Sequence, residues 1–153
     1  MRQLTWFERG TPVTALAIQS LETSFGYRLP PDLVEFAMVN SGASNPEECE
    51  FVVTSGSGVE DVSCFGSMLA FDEDGPGTVL STYRALRCDE QIPVSVLPIV
   101  NTGFGDYVCL DYRLDHVPTV AYFAHGKSGE DSLLTLATTF TAFLDLLTVP
   151  ENE

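Results

Sequence analysis

Apolar positions change their spacing along the chain, and the changes mark out its elements. Val13, Leu16, Ala17, Leu21 and Ser24 recur at three- and four-residue intervals, which places them along one side of a helix. Thr11 and Pro12 offer a hydroxyl cap followed by proline at the first helical position, and Gly26 stands where the helix should end. A second helix is predicted after YRLPP, with Pro31 near its start and Asp32 and Glu35 toward the positive end of its dipole. Leu33, Phe36 and Ala37 form its inner stripe, and it stops at NSGA.

From Glu50 the period shortens. EFVVTSGSG is β-branched and bounded by glycine, so it reads as a strand and a turn, while DVSCFGSMLAF is ambiguous between the two periods. TVLSTYRALR, residues 78–87, returns to helical spacing with Val79, Tyr83 and Leu86 on one side. Two apolar runs in IPVSVLPIVNTGFGDYVCLDYR and a third in PTVAYFAHG then predict three consecutive strands joined by turns, an antiparallel meander. In the closing SLLTLATTFTAFLDLL, the stripe Leu133, Leu136, Ala137, Phe140, Phe143, Leu144 and Leu147 predicts one long amphipathic helix lying on the sheet. The expected architecture is α+β: an antiparallel or mixed sheet with helices packed mainly on one face. Its 153 residues suit a single domain, taken as 1–150 with a short tail at 151–153.

Charge narrows the function. Carboxylates outnumber Lys and Arg by 22 to 7, a formal net charge of −15. A potential of that sign repels phosphates, which argues against nucleic acid and anionic membrane surfaces as partners and favours a basic one. The four cysteines, Cys49, Cys64, Cys88 and Cys109, contain no C-x-x-C, so a zinc ribbon or a redox pair on one tight turn is not indicated. The N-terminal MRQLTWFERGTP lacks the apolar core of a secretory signal, and no apolar run is long enough to cross a bilayer. A cytoplasmic chain with free thiols is the expectation.

Catalytic chemistry finds little support. Gly103-Phe104-Gly105-Asp106 resembles a phosphate loop only superficially: a strand follows it where a helix is needed, and no Lys or Arg stands nearby. It reads as a turn in which the two glycines supply positive φ angles and Asp106 accepts backbone N–H bonds. Asp111, five residues on, points by strand alternation to the opposite face, so the two carboxylates do not make an acid–base pair. His116 and His125 sit beside turn residues, and nothing places Cys109 near either. No catalytic residue, metal ligand or cofactor is expected. Trp6 and Phe7 are expected to fold back onto the core rather than form an exposed patch.

In this order the pieces resemble the SUKH superfamily, the Smi/Knr-like proteins. Its opening signature is matched by Leu21-Glu22, Gly26, Leu29-Pro30-Pro31-Asp32, Phe36 and Asn40-Ser41-Gly42, with Ser41 where the first glycine of Asn-Gly-Gly is usual. Its middle signature is matched by Leu97-Pro98-Ile99 and Gly105-Asp106-Tyr107-Val108-Cys109-Leu110-Asp111, and its following strand by Val120-Ala121-Tyr122-Phe123. The closing Leu-Ala-x-Ser-Phe-x-x-Phe-Leu pattern is similar to Leu136-Ala137-Thr138-Thr139-Phe140-Thr141-Ala142-Phe143-Leu144. Residues 44–76 align with nothing in the signature.

The resemblance implies a SUKH-like fold and a non-enzymatic role. It implies a bacterial immunity protein that neutralises a cognate polymorphic toxin, one that targets nucleic acid, by masking its active surface; the alternative is an intracellular interaction or regulatory module of the Smi/Knr type. The charge pattern bears on the choice of surface. No Lys or Arg occurs between Arg28 and Arg84, whereas Glu47, Glu48, Glu50, Glu60, Asp61, Asp72, Glu73 and Asp74 all lie there. These eight are the candidate partner-binding residues, facing a toxin with a basic surface. Sequence says nothing of the oligomeric state.

Overall fold

The computed structural model describes residues 4–7, 12–71, 75–126 and 132–150. Helix α1 spans Ala15–Phe25 and is capped by the Thr14 hydroxyl, which accepts the Ala17 amide at 3.1 Å. It therefore begins later than Thr11-Pro12 suggested: a hydroxyl three residues on supplies the cap, and Pro12 precedes the helix. The buried face rotates accordingly onto Ile18, Leu21 and Phe25, leaving Leu16 69% exposed. Gly26 closes the helix at φ 98°, a left-handed conformation that costs glycine little. Glu22 then reaches across the connection and accepts the Leu29 amide at 2.7 Å, so one carboxylate sets the path from α1 into α2.

Helix α2 runs Pro31–Asn40 and buries Leu33, Phe36 and Ala37 as its stripe predicts. At its end the buried Ser41 hydroxyl accepts the Phe71 amide at 3.0 Å, a tie that glycine at this position would lack. Strands β1 (Glu50–Thr54) and β2 (Glu60–Cys64) form an antiparallel hairpin of their own. Strand β3 (Ser67–Met68), helix α3 (Val79–Cys88) and strands β4 (Val96–Asn101), β5 (Tyr107–Asp111) and β6 (Thr119–Phe123) follow. The ambiguous DVSCFGSMLAF is thus two strands, divided at Gly66, where an added Cβ would stand 2.5 Å from the Asn101 carbonyl oxygen.

The end of the chain departs from expectation. The predicted long helix is a seventh strand, β7 (Leu133–Ala137), followed by a short helix, α4 (Phe140–Asp145). Thr139 breaks the run: its hydroxyl accepts the Ala142 amide at 3.0 Å and starts the helix there. Asp32 of α2 caps the same helix from outside, accepting both the amide and the hydroxyl of Thr141 at 2.9 Å. Five strands pair antiparallel in the order β3-β4-β5-β6-β7, an α+β fold with the expected meander at its centre. Residues Val96 to Val100 of β4 are all buried, so the middle of the sheet is covered on both faces.

Two aromatic clusters lock the layers. Phe25, Tyr27, Tyr83 and Tyr112 meet with ring centroids 4.7–5.4 Å apart, and the Tyr112 hydroxyl donates to the Arg28 carbonyl at 2.7 Å. In the second, Trp6 meets Phe36 edge-on at 4.8 Å and Phe51 meets Phe143 at 5.3 Å, joining the N-terminal segment, α2, the hairpin and α4. Trp6 folds back as expected. Phe7 does not: its backbone pairs with Ser44 while the side chain stays 41% exposed.

Candidate protein-binding surface

The β1–β2 hairpin presents two different faces because its residues alternate. Phe51 and Val53 turn inward, and Phe51 packs on Tyr122 of β6 with ring centroids 6.0 Å apart. Glu50, Val52 and Thr54 turn outward, opposite Cys64, Val62 and Glu60 of β2. Val52 and Val62 are paired directly and are 51% and 64% exposed, an apolar strip between two acidic ends.

Five of the eight predicted acids lie on or beside this hairpin. Glu47 and Glu48 precede it, their amides held by the Asn45 side-chain oxygen at 3.1 and 2.9 Å, and Glu47 is exposed. Glu50 sits at the base of the outer face and Glu60 at its far end, about 13 Å along the strand. Asp61, opposite Val53, belongs to the inner face. The acids are strung along both faces rather than gathered in one plane. Asp72, Glu73 and Asp74 lie outside the described residues.

Between the inner face and the sheet lies a cavity of about 480 Å³, bounded by Ser55, Asp61 and Ser63 on the hairpin side and by Asp106, Tyr122 and Leu134 on the sheet side. Asp106 anchors it. Its carboxylate accepts the Tyr122 hydroxyl on one oxygen and the His125 amide, at 2.7 Å, on the other. Ser63 lies 3.1 Å from the same Tyr122 hydroxyl. Burial and then the bond to Asp106 push the Tyr122 hydroxyl up to about 12, helped by the nearby Asp106 and Asp61 charges and opposed by the bond with Ser63.

The two turn glycines behave as the sequence suggests, but Asp106 does not. Gly103 and Gly105 adopt φ 89° and 87°, and Thr102 closes the loop by donating its amide and hydroxyl to the Asp106 carbonyl at 3.3 and 2.9 Å. The Asp106 side chain serves the neighbouring connection instead of its own turn. Phe104, at the tip, is 78% exposed and shares a second recess with Glu50, Val62 and Tyr122. Sequence reasoning passed over Phe104, yet a large aromatic between two turn glycines has little but solvent to face.

The other chemical candidates do not converge. Asp111 is held by Arg113 through two nitrogens at 3.0 and 2.8 Å, and His116 stays exposed beside Asp115. Cys109 is fully buried, which pushes its thiol far above the usual range. Cys49 and Cys64, fifteen residues apart, have sulfurs 2.7 Å apart at the hairpin base; burial and the neighbouring Cys49 push the Cys64 thiol up to about 12. Among the described residues, no group of three or more His, Cys, Asp or Glu is placed to hold a metal ion, and no helix is long and apolar enough to cross a membrane.

Comparison with curated proteins finds no match. The family profile described as SMI1 / KNR4 family (SUKH-1) matches residues 12–146, most of the chain, including both helical signatures, the meander and the Thr139-capped helix. By that match the chain belongs to the SMI1/KNR4 (SUKH-1) family.

Proposed function

We propose that this protein is a non-enzymatic immunity protein that binds a cognate bacterial toxin and masks its active surface, the toxin being one that acts on nucleic acid. The observation that carries this reading is the hairpin. On its outer face Glu50 and Glu60 stand at either end of the exposed pair Val52 and Val62, with Glu47 before the hairpin base. Asp61 lies on the inner face, and the chain has no Lys or Arg between Arg28 and Arg84. Enzymes that act on nucleic acid carry cationic clefts, so an anionic surface competes with their substrate and attracts them at long range. Exposed valines and Phe104 supply the apolar contact that a carboxylate field alone lacks. Family membership supports the same reading.

The experiment is co-expression. The C-terminal domain of a secreted protein encoded directly upstream is induced in bacteria with and without this chain. Survival only in its presence, with a complex recovered from the lysate, is the expected result. Killing that proceeds unchanged, with no complex formed, refutes the proposal for that pair.

A further inference from the structure

We propose that the cavity behind the hairpin is a receptor for one arginine side chain of the bound protein. The guanidinium faces Asp61 and Asp106, and the methylenes lie against Val53, Val59 and Leu134. The inference rests on the reading that the hairpin meets the partner.

Hydrogen-bond polarity makes the selection. The Tyr122 hydroxyl has one proton and gives it to Asp106, so Ser63 must be the donor in its bond to Tyr122. The His125 amide is likewise spent on Asp106. In the loop, Ser55 accepts the Val59 amide at 3.1 Å and shares a hydroxyl bond with Ser57 at 2.9 Å. The Tyr122 and Ser63 hydroxyls and the His125 amide are therefore used internally, so the lone pairs of Asp61 and Asp106 face the cavity beside the His125 ring and the Ser55–Ser57 hydroxyl pair. Two carboxylates on one wall favour a guest that brings donors and positive charge together.

No Lys or Arg lines the cavity among the described residues, so the chain does not supply that cation from those positions. Guanidinium offers five N–H donors in a planar fork and is weakly hydrated, whereas an ammonium is a compact, strongly hydrated point charge. Val53, Val59, Ala124 and Leu134 form an apolar part of the wall, which suits a methylene stem under a charged head. The volume of about 480 Å³ falls in the range of small-ligand pockets and is ample for one arginine side chain. The cavity also adjoins the exposed Val59 and Val62, so a side chain entering it would belong to a protein already resting on the hairpin.

The test is a titration of the full chain, labelled with ¹⁵N, followed by amide chemical shifts at low salt. The probes are the Nα-acetyl methylamides of arginine, lysine and norleucine. Saturable shifts at Ser55, Asp61, Ser63, Tyr122 and His125 are expected with the arginine probe. Lysine should bind roughly three- to ten-fold more weakly and norleucine should leave these amides unmoved. Asp61→Asn, an exposed position, should keep the dispersed spectrum of the folded chain and weaken arginine binding by a similar factor. No shift at these amides, equal binding of lysine or norleucine, or undiminished binding in Asp61→Asn overturns the inference. The two proposals fail separately. Arginine binding without protection in co-expression leaves the pocket standing and sinks the immunity reading; protection without arginine binding does the reverse.

Discussion

Replacing Tyr122 with phenylalanine removes one oxygen and tests how the cavity is held together. The ring should stay, because Tyr122 is only 7% exposed and remains packed on Phe51. Two bonds go: that from Ser63, and that to Asp106, whose carboxylate keeps only the His125 amide. A hydrogen bond to a charged group contributes about 1.5–3 kcal/mol, and water entering the cavity replaces part of it, so the loss should be about 1.5 kcal/mol. For a chain of 153 residues this lowers Tm by roughly 3–6 °C. Calorimetry and urea unfolding at neutral pH measure it. Alkali supplies a second reading. The Tyr122 hydroxyl is raised from 10.0 to about 12 in the fold, which favours its protonated form there. Above pH 10 the unfolded chain binds fewer protons than the folded one, so stability falls as pH rises. This contribution is fully present below pH 10 and lost as pH approaches 12. Tyr83 and Tyr112, raised mainly by burial, add to the same decline, so the informative quantity is the gap between wild type and Tyr122→Phe. That gap should narrow between pH 10 and 12. A Tm change under about 1 °C together with a constant gap would refute the claim that the Tyr122–Asp106 bond braces the cavity.

The elements legible in the sequence were those whose signals agree. Helix α2 has proline at its start, a clean stripe and a stopping Ser-Gly, and the β4–β6 meander has apolar runs separated by turn glycines. The failures have a physical pattern. Leu133 to Leu147 keeps helical spacing by coincidence across two elements, and the four threonines at 135, 138, 139 and 141 were the contrary evidence. Threonine stiffens χ1 and suits strands, and its hydroxyl caps helices, so Thr135 fits β7 and Thr139, two residues past its end, opens α4. Likewise Thr11 and Thr14 offer the same cap, and a shift of three residues between them moves Leu16 out of the core. For the surface, composition along the chain placed the acids in one segment but not on faces. Only the register opposing Val53 to Asp61 and Thr54 to Glu60 separates the cavity carboxylate from the outer one. Long-range partners such as Asp106 with Tyr122 and His125, or Cys49 with Cys64, depend on strand pairing and leave no local mark.

Three further outcomes follow from the geometry. Gly66→Ala should destabilise the fold by about 1–3 kcal/mol in urea unfolding, because its Cβ would stand 2.5 Å from the Asn101 carbonyl oxygen and 3.0 Å from the Thr102 carbonyl carbon. A loss below about 0.5 kcal/mol would mean the β2–β3 corner yields freely. Asp32→Ala should cost about 1–2 kcal/mol by uncapping α4, and Asp32→Asn, which keeps an acceptor for Thr141, should recover part of it. If both lose equally, charge and not capping is what matters there. Joint reversal of Glu47, Glu48 and Glu50 to lysine would act on the encounter with the proposed toxin. It changes six units of a net charge of −15 beside the hairpin base, where at physiological salt the field reaches about 8 Å. Charges of this kind govern the approach of two proteins more than their separation once docked. At low salt, association should slow by at least about ten-fold, its dependence on ionic strength should flatten, and dissociation should change less, all read in stopped-flow mixing. Association constants that stay equal at every salt concentration would take the hairpin base out of the approach path. Binding would then have to be explained by Val52, Val62 and Phe104 alone.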